Sequence, residues 1–433
     1  MSNFEKVSLG DHCELFTGFA FKSAEFLIGS EGDVRLARGD NIKEGYFEWG
    51  EKEKRWASVT PDLTRYLLKA GDILVGMDGS KVGKNWVEVS ESDLPCLLVQ
   101  RVCCFRARPT LNQKLIRYLV GSRSFRNYID SVKTGTSIPH ISMGQIRNFP
   151  IPLPPPPDQN AIAHILGALD DKIELNQKMH RTLEHSAKAT FKSWFVDFDP
   201  VHAKVAGRST GLPAEISDLF PDEFADSEIG EIPAGWTISP LDAIGTFRNG
   251  LALQKYPPQD GIERLPVVKI AQLRKGSTQG DDTYASGVPS DFIIDDGDFI
   301  FSWSGTLMAK YWVGGRGALN QHLFKVESKT QPLWMVAGWV DHFMPEFQSI
   351  AASKATTMGH IQREHLRQAL CSIPSTGIVN ACADIFAPII ERSILVQKES
   401  KVLGELRDTL LPKLISGELR IPDAEKFLEE AGV

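Results

Sequence analysis

The polar segment Gly79–Asn85 is the part of this chain that most resembles a phosphate-binding motif. A P-loop surrounds phosphate with backbone N–H groups and ends in Gly-Lys-Ser/Thr, so that the lysine and the hydroxyl reach the phosphates and the magnesium ion. Here the spacing is one residue short, and Asn85 stands where the hydroxyl residue belongs. The sequence therefore does not predict nucleotide hydrolysis at this segment.

Other catalytic signatures are absent from the sequence. It contains no G-x-G-x-x-G after a strand, no G-x-S-x-G, no H-E-x-x-H, and no Asn/Asp-Pro-Pro-Tyr/Phe run of an amino-methyltransferase. The six cysteines form no C-x-x-C pair, which argues against a metal site and favours reduced thiols. These absences lower the expectation of a free-standing enzyme.

The composition is ordinary for a globular protein. The cysteine pattern leads us to expect a cytoplasmic one. The 433 residues are 42% hydrophobic and 24% charged, and the net charge of −7 does not indicate a nucleic-acid binder. The longest apolar run, about residues 333–340, is too short to span a bilayer, and we expect no secretory signal at the N-terminus. One local run is basic: residues 101–147 hold nine Lys or Arg and the single acid Asp130. A solvated helix face is the simplest interpretation of that run.

The chain contains an internal repeat of about 220 residues. Residues 71–87 match residues 297–313 at six of 17 positions, including the Gly-Asp pairs Gly71-Asp72 and Gly297-Asp298. Further on, His140-Ile141 matches His360-Ile361. The order is kept while the offset drifts slowly, which indicates a tandem duplication.

Each copy combines a mixed part with a long helix. Short β-like runs near residues 72–75, 86–89 and 299–303 surround a helix-like stretch at 111–120. The long helices repeat every 3.5 residues, which is typical of a coiled coil. The predicted seam positions are Ile162, Leu166, Leu169, Ile173, Asn176, His180, Leu183, Ala187, Thr190 and Trp194 in the first helix, and Cys382, Phe386, Ile389, Ser393, Val396, Ser400, Leu403, Arg407, Leu410 and Leu414 in the second.

Two further expectations concern the ends of these helices. Pro412 should kink or end the second one. Residues 198–232, which are acidic and contain prolines, should form an extended linker.

At this point the sequence resembles the specificity (S) subunit of type I DNA restriction–modification systems, the HsdS family. The resemblance spans nearly the whole chain and rests on the duplicated plan and on four segments: residues 149–159 and 191–200 around the first helix, 230–236 at the start of the second copy, and 410–419 near its end. Residues 373–377 depart from the pattern, because the second copy lacks the proline-rich run.

The resemblance implies an α+β fold of two tandem-duplicated, mixed α/β target recognition domains, each followed by a long helix, with the helices pairing as an antiparallel coiled coil. The domains are expected at residues 1–157 and 233–376, the helices at 158–197 and 377–433 with a C-terminal tail, and the linker at 198–232. By the same resemblance the subunit has no catalytic site and no metal.

The resemblance also implies the partners. Each domain would read one half of a bipartite, asymmetric site in double-stranded DNA. The helices would dock two methyltransferase (M) subunits, and restriction (R) subunits would join the complex. No cofactor is expected in this chain; S-adenosylmethionine, ATP and Mg belong to the partner subunits, and no membrane is involved.

Candidate DNA-binding residues lie in two loops of each copy. Lys side chains would hold phosphates or guanine edges, and Asn and Thr side chains would read bases. The candidates are Ser80, Lys81, Lys84, Asn85, Lys133, Thr134, Thr136, Ser137 and His140 in the first copy and Thr306, Lys310, Lys354, Thr356, Thr357 and His360 in the second. Residues shared by both copies can equally serve the common scaffold, and base-reading residues should differ between them.

Two alternatives remain at this stage. One is a protein-interaction scaffold with two binding domains on a helical spacer and no DNA role. The other is an enzyme with an unrecognised active site.

Overall fold

The computed structural model describes residues 4–135, 137–280, 283–353 and 359–433. The chain forms two compact units: residues 1–172 with 403–433, and residues 173–402. Each long helix therefore contributes one part to the first unit and another part to the second.

The first unit opens with a mixed region that leads into a long helix. Its strands are β1 (Lys6–Ser8), β2 (Cys13–Thr17), β3 (Val34–Ala37), β4 (Arg55–Trp56), β5 (Ile73–Gly76), β6 (Trp86–Glu88), β7 (Cys96–Leu98), β8 (Val102–Ala107) and β9 (Pro150–Pro152). Its helices are α1 (Leu9–His12), α2 (Gln113–Gly121), α3 (Arg123–Val132), α4 (Met143–Arg147) and the start of α5 (Pro156–Phe191).

The second unit contains counterparts of the main strands in the same order, together with additional short elements. After a π-helical turn at Lys192–Val196 come α6 (Asp199–Val205), α7 (Ala214–Ser217), β10 (Phe224–Ser227), β11 (Gly230–Pro233), β12 (Thr237–Pro240), α8 (Leu241–Ile244), β13 (Thr246–Asn249), β14 (Arg264–Val268), α9 (Ile270–Lys275), β15 (Tyr284–Ser286), β16 (Ile293–Ile294), β17 (Phe299–Ser302), β18 (Met308–Tyr311), β19 (Gly317–Leu319), β20 (Leu323–Glu327), α10 (Leu333–Ser353), α11 (Arg363–Gln368), β21 (Leu370–Ile373) and the start of α12 (Thr376–Ser416). The end of α12 and the helix α13 (Ile421–Glu430) belong to the first unit.

The sheets confirm the duplication. In the first unit the main sheet has the order β2-β8-β5-β6, and in the second it has the equivalent order β13-β20-β17-β18. The smaller sheets correspond too, since β3 pairs with β7 in parallel and with β4 antiparallel, as β14 does with β19 and β15. The strand pair β1–β9 has its counterpart in β12–β21. Similar sequences have thus produced the same strand order twice.

A repeated turn explains the Gly-Asp identity. The Asp72 carboxylate accepts a hydrogen bond from the Lys69 backbone N–H at 2.8 Å, and the Asp298 carboxylate accepts one from the Asp295 N–H at 2.8 Å. Gly71 and Gly297 have φ of 86° and 97°, which favours glycine at both positions. Each turn delivers the chain into the central strand β5 or β17.

The long helices pack antiparallel within each unit, along the predicted seams. Every predicted seam residue is buried or half-buried. The polar members of the seam are paired: in the second unit the Asn176 amide donates to Glu399 at 3.0 Å, and His180 Nδ1 lies 2.8 Å from Ser393 Oγ. Polar pairs in a helix interface favour one register over its alternatives.

The seam of the first unit centres on the carboxylate of Asp170. It accepts from Arg407 Nη1 at 2.7 Å and from the Tyr118 hydroxyl at 2.6 Å, and Arg117 Nη2 lies 3.2 Å away. Burial, reinforced by the charge of Asp170, raises the pKa of Tyr118, so the phenol remains a hydrogen-bond donor. Arg407, a polar exception in the seam pattern, thus has a dedicated partner.

The second long helix does not end at Pro412, and the expectation of an extended linker at 198–232 is wrong. Helix α12 continues through Pro412 to Ser416; Pro412 is exposed, while Leu410, Leu414 and Ile415 around it are buried, so packing holds the helix past the proline. Residues 198–232 are not extended: they form α6, α7 and the hairpin β10–β11. Their apolar residues, including Val201, Phe220 and Ile232, enter the core of the second unit.

Replacing Asp170 by Asn should lower the free energy of unfolding of the first unit by about 2 kcal/mol, because two arginines lose a largely buried carboxylate. Asp171→Asn, an exposed neighbour on α5, is the matched control and should change stability by less than about 0.5 kcal/mol. Urea unfolding followed by circular dichroism measures both. Equal effects of the two variants would contradict this role of Asp170.

Candidate functional site

The two candidate loops of the first unit meet through their backbones. We call residues 77–85, between β5 and β6, the hairpin loop. We call residues 133–135 and 137–141 the return loop. The Gly79 N–H donates to the Pro139 carbonyl at 3.0 Å, and the Ile141 N–H donates to the Met77 carbonyl at 2.9 Å. Asp78 therefore faces His140 in an antiparallel bridge. Segments about 60 residues apart in sequence form one surface here.

We call this backbone contact between the hairpin loop and the return loop the clasp. The second unit has the same clasp between its own hairpin loop, residues 303–307, and its return loop, of which residues 359–362 are described. The Gly305 N–H donates to the Gly359 carbonyl at 2.8 Å, and the Ile361 N–H donates to the Trp303 carbonyl at 3.0 Å. Ser304 faces His360 as Asp78 faces His140. The repeated His-Ile dipeptide of the sequence therefore marks the clasp.

In the first unit most of the candidate side chains reach solvent. Ser80, Lys81, Lys84 and Ser137 are exposed, while Asn85 is half-buried at the base of the hairpin loop. Three of the remaining candidates have partners within the unit: Lys133 Nζ lies 2.6 Å from Asp130, and Thr134 Oγ1 lies 3.0 Å from Nε2 of the exposed His140. Thr136 lies outside the described residues. The clasp therefore brings this predicted set together on the protein surface.

In the second unit the structure places fewer of the candidates. Thr306 is exposed at the hairpin loop and accepts a hydrogen bond from Arg274 Nη2 at 2.6 Å. His360 lies in the clasp. Lys354, Thr356 and Thr357 lie outside the described residues. Sequence reasoning missed Arg274, although it is one of two adjacent basic residues, Arg274 and Lys275, in the last turn of α9.

The interpretation of Lys310 as the counterpart of Lys84 is wrong. In β6, Val87 pairs with Leu74, whereas in β18 it is Lys310 that pairs with Ile300, the repeat partner of Leu74. The hairpin loop of the second unit is shorter, so the strand after it is shifted relative to the sequence match. Lys310 therefore occupies a strand position, while Lys84 stays in a loop.

Lys310 also lines a cavity of about 400 Å³ in the second unit. Leu183, Phe191, Trp334 and Phe386 supply apolar walls of this cavity. Lys188, which also lines the cavity, has its Nζ 2.9 Å from a carboxylate oxygen of Glu184 and 3.5 Å from one of Asp341. Burial raises the pKa of Asp341 to about 6, and the charge of Lys188 partly counteracts that rise.

Comparisons with known proteins agree with this architecture. The family model of the type I restriction modification DNA specificity domain matches residues 1–185. The MjaIX specificity subunit of Methanocaldococcus jannaschii is 25% identical over 315 residues, covering 71% of this chain and 69% of that protein. The HindI specificity subunit of Haemophilus influenzae is 24% identical over 410 residues, covering 83% and 89%.

A solved structure extends the match to the whole fold. The crystal structure of a type I restriction–modification S subunit from M. genitalium has a TM-score of 0.55 at 16% identity, with 96% of each chain covered. This solved structure therefore has the same overall fold as this chain. The family model and these relatives together support a type I restriction–modification specificity subunit.

Specificity subunits are the non-catalytic members of their complexes. All six cysteines are free and buried, and burial raises the pKa of Cys13 and of Cys103 to about 12. Thiols of this kind are poor nucleophiles at neutral pH. Within the described residues, no group of three or more His, Cys, Asp or Glu is arranged to hold a metal ion.

Several arginines of the basic run 101–147 are paired within the first unit. Arg106 binds Asp72 through two 2.7 Å hydrogen bonds, Arg117 pairs with Glu88 at 3.0 Å, and Arg126 pairs with Glu44. These arginines brace the scaffold of the first unit. The charge available to a polyanion comes from exposed residues such as those of the hairpin loop.

Gly79→Ala should destabilise the clasp, because φ at Gly79 is 95° and a Cβ disfavours that conformation even though no atom lies within 4 Å of its position. We expect a loss of about 1 kcal/mol in unfolding free energy. Gly144→Ala, in helix α4 where the Cβ has room, is the control and should be neutral or slightly stabilising. A Gly79→Ala variant as stable as the wild type would show that the clasp tolerates other turns.

Proposed function

We propose that this chain is the DNA-reading subunit of a type I restriction–modification complex, with each unit reading one half of a bipartite, asymmetric site. The observation that carries the proposal is the duplicated clasp. Both units hold a hairpin loop against a return loop with the same backbone hydrogen bonds, and both present polar side chains there.

The asymmetry of the site follows from what the units share and what they do not. The strand order and clasp are common, so each unit meets DNA with equivalent elements. The side chains differ, with the exposed Ser80 and Lys81 at hairpin-loop positions that the exposed Thr306 and the buried Leu307 occupy in the second unit. Because base edges are read by side chains, two unlike sets read two unlike half-sites.

The complex supplies the chemistry. The proposal assigns S-adenosylmethionine to two methyltransferase subunits, and ATP with Mg to the restriction subunits. Candidate docking residues lie on the helices of the second unit: Leu395 and Val402 are 55% and 62% exposed and stand two turns apart on one face of α12, and Leu175 of α5 is 54% exposed. Exposed leucine and valine side chains on a helix favour burial against a partner.

The proposal also places the complex in the cytoplasm, which the six free cysteines support. Every helix in the described ranges is too short or too polar to cross a membrane.

The scaffold alternative and the DNA reader differ in how duplex binding should depend on salt concentration. A DNA reader that neutralises phosphates binds duplex less tightly as salt rises, with a slope of about −0.9 in log–log terms for each phosphate contact. Salt-independent behaviour or lack of duplex binding by the assembled complex would favour the scaffold. The family model that matches residues 1–185 is that of a DNA specificity domain, and this supports the DNA reader.

The double variant Lys81→Ala/Lys84→Ala should weaken duplex binding by the complex and reduce the magnitude of the salt slope by about 1 to 2, with base preferences unchanged. Lys426→Ala, which removes an exposed lysine from α13, is the control and should leave the slope as it is. Binding titrations between low and physiological salt measure both. If the double variant keeps the wild-type slope, the hairpin loop is not at the phosphates.

Exchanging residues 1–150 for the matching domain of another specificity subunit should change one half-site and leave the other as it was, because the first unit carries its own clasp. Methylation-aware sequencing of DNA from cells with the reassembled system reads both half-sites. A simultaneous change in both half-sites would refute the assignment of one half-site to each unit.

A further inference from the structure

A pair of positions beside each clasp carries different side chains at equivalent places in the two main sheets. In the first unit, the turn Gln100-Arg101 leads into β8, and in the second unit Gln321-His322 leads into β20. The strand pairing is equivalent, since Gly76 lies opposite Val102 and Ser302 lies opposite Leu323. Arg101 therefore corresponds to His322, and the clasp residues Asp78 and Ser304 correspond to each other.

These two positions are in contact in both units. Arg101 Nε lies 4.0 Å from a carboxylate oxygen of Asp78 in the first unit. In the second, His322 Nδ1 lies 3.0 Å from the Ser304 hydroxyl. The chain thus keeps a side-chain contact at one place while changing both partners from Asp–Arg to Ser–His.

Arg101 has the features of a residue held ready for a ligand. Its side chain is 63% exposed, and at 4.0 Å its Nε is beyond hydrogen-bonding distance of Asp78, so the carboxylate balances the charge without occupying the guanidinium donors. Its φ is 66°, a left-handed conformation that is uncommon for residues other than glycine. Its carbonyl accepts from the Met77 N–H at 2.9 Å, which ties the turn to the hairpin loop. Strained backbone of this kind concentrates at binding sites.

His322 is held more closely by its surroundings. Its ring lies 6.0 Å from that of Trp303, which in turn donates Nε1 to the Asn249 side chain at 2.9 Å. With Nδ1 engaged by Ser304, which is 3% exposed, Nε2 is the ring atom left for a ligand. A single nitrogen offers one hydrogen bond, whereas a guanidinium offers two in a fixed geometry.

We infer that Arg101 with Asp78, and His322 with Ser304, are specificity-determining pairs, and that Arg101 reads a guanine of the first half-site through its O6 and N7 atoms. The inference rests on the proposed function and adds the residues that carry its information. Gln100, Gly79 and His140 have identical counterparts in the second unit and build the shared scaffold. Arg and guanine form the commonest specific contact in the major groove, and one such bidentate pair discriminates strongly against other bases.

The competing role for Arg101 is a phosphate contact. A phosphate contact would contribute affinity at every sequence and would add to the salt slope without any base preference. A guanine contact would instead act at one position. The two roles are separable by measuring base preference position by position.

The experiment uses the complex of this chain with its methyltransferase subunits and a duplex pool in which each position of the first half-site is randomised. In Arg101→Gly the side chain is removed and the left-handed backbone is retained without strain. We expect the preference for guanine at one position to fall about 10- to 100-fold while the other positions keep theirs. Arg123→Ala, which removes an exposed arginine at the start of α3, should leave all base preferences intact.

A second variant transfers the pair of the second unit into the first. Asp78→Ser/Arg101→His should give a new and weaker base preference at the same position, and histidine tolerates the left-handed backbone better than most residues. Unchanged base preferences in both variants, or a uniform loss of affinity at all sequences, would overturn the inference and leave the proposed function standing. A wild-type complex without any base preference would overturn both.

Discussion

The pairing of α5 with α12 in a single register is the constraint on which both units depend. The core of the first unit is completed by Leu411 and Ile415, which lie more than 250 residues after the core strand β9, and the core of the second unit takes Phe191 and Phe386 from the two helices. Apolar seams alone would permit sliding by one heptad. The hydrogen bonds of Asp170 in the first unit and of Asn176 and His180 in the second disfavour it, because a shifted register leaves buried polar groups unpaired.

The candidate interface is positioned by backbone hydrogen bonds rather than by side chains. Each clasp uses main-chain N–H and C=O groups, which every residue except proline carries in full, so side chains around it can change without loss of the fold. The duplication preserves glycine where φ requires it, at Gly79 and Gly305, and varies the residues that face solvent. A specificity subunit needs this separation, since new half-sites must arise on an unchanged scaffold.

The charged residues also divide into a group that stabilises the scaffold and a group that is exposed at the candidate interface. The basic run between residues 101 and 147 looks like one field in sequence, yet Arg106, Arg117 and Arg126 are each held by a carboxylate from another element. Paired charges of this kind brace the fold and add little to a long-range field, because opposite charges in contact cancel beyond about 10 Å. The local exposure of Lys81 and Lys84, rather than net charge, is what suits the first unit to a polyanion.

The sequence by itself determined the duplication, the α+β class, the long-helix seams and the two loops of each copy, because these depend on local periodicity and on turns such as Gly71-Asp72 whose chemistry is complete within a few residues. Only the tertiary structure decided that the two loops share a surface, that Lys310 is displaced into a strand and that residues 198–232 fold into the core. Each of these depends on the register of strands and on packing between segments far apart in the chain. A shorter hairpin loop moves every following side chain relative to its repeat partner, and no local pattern records which distant backbone will receive it.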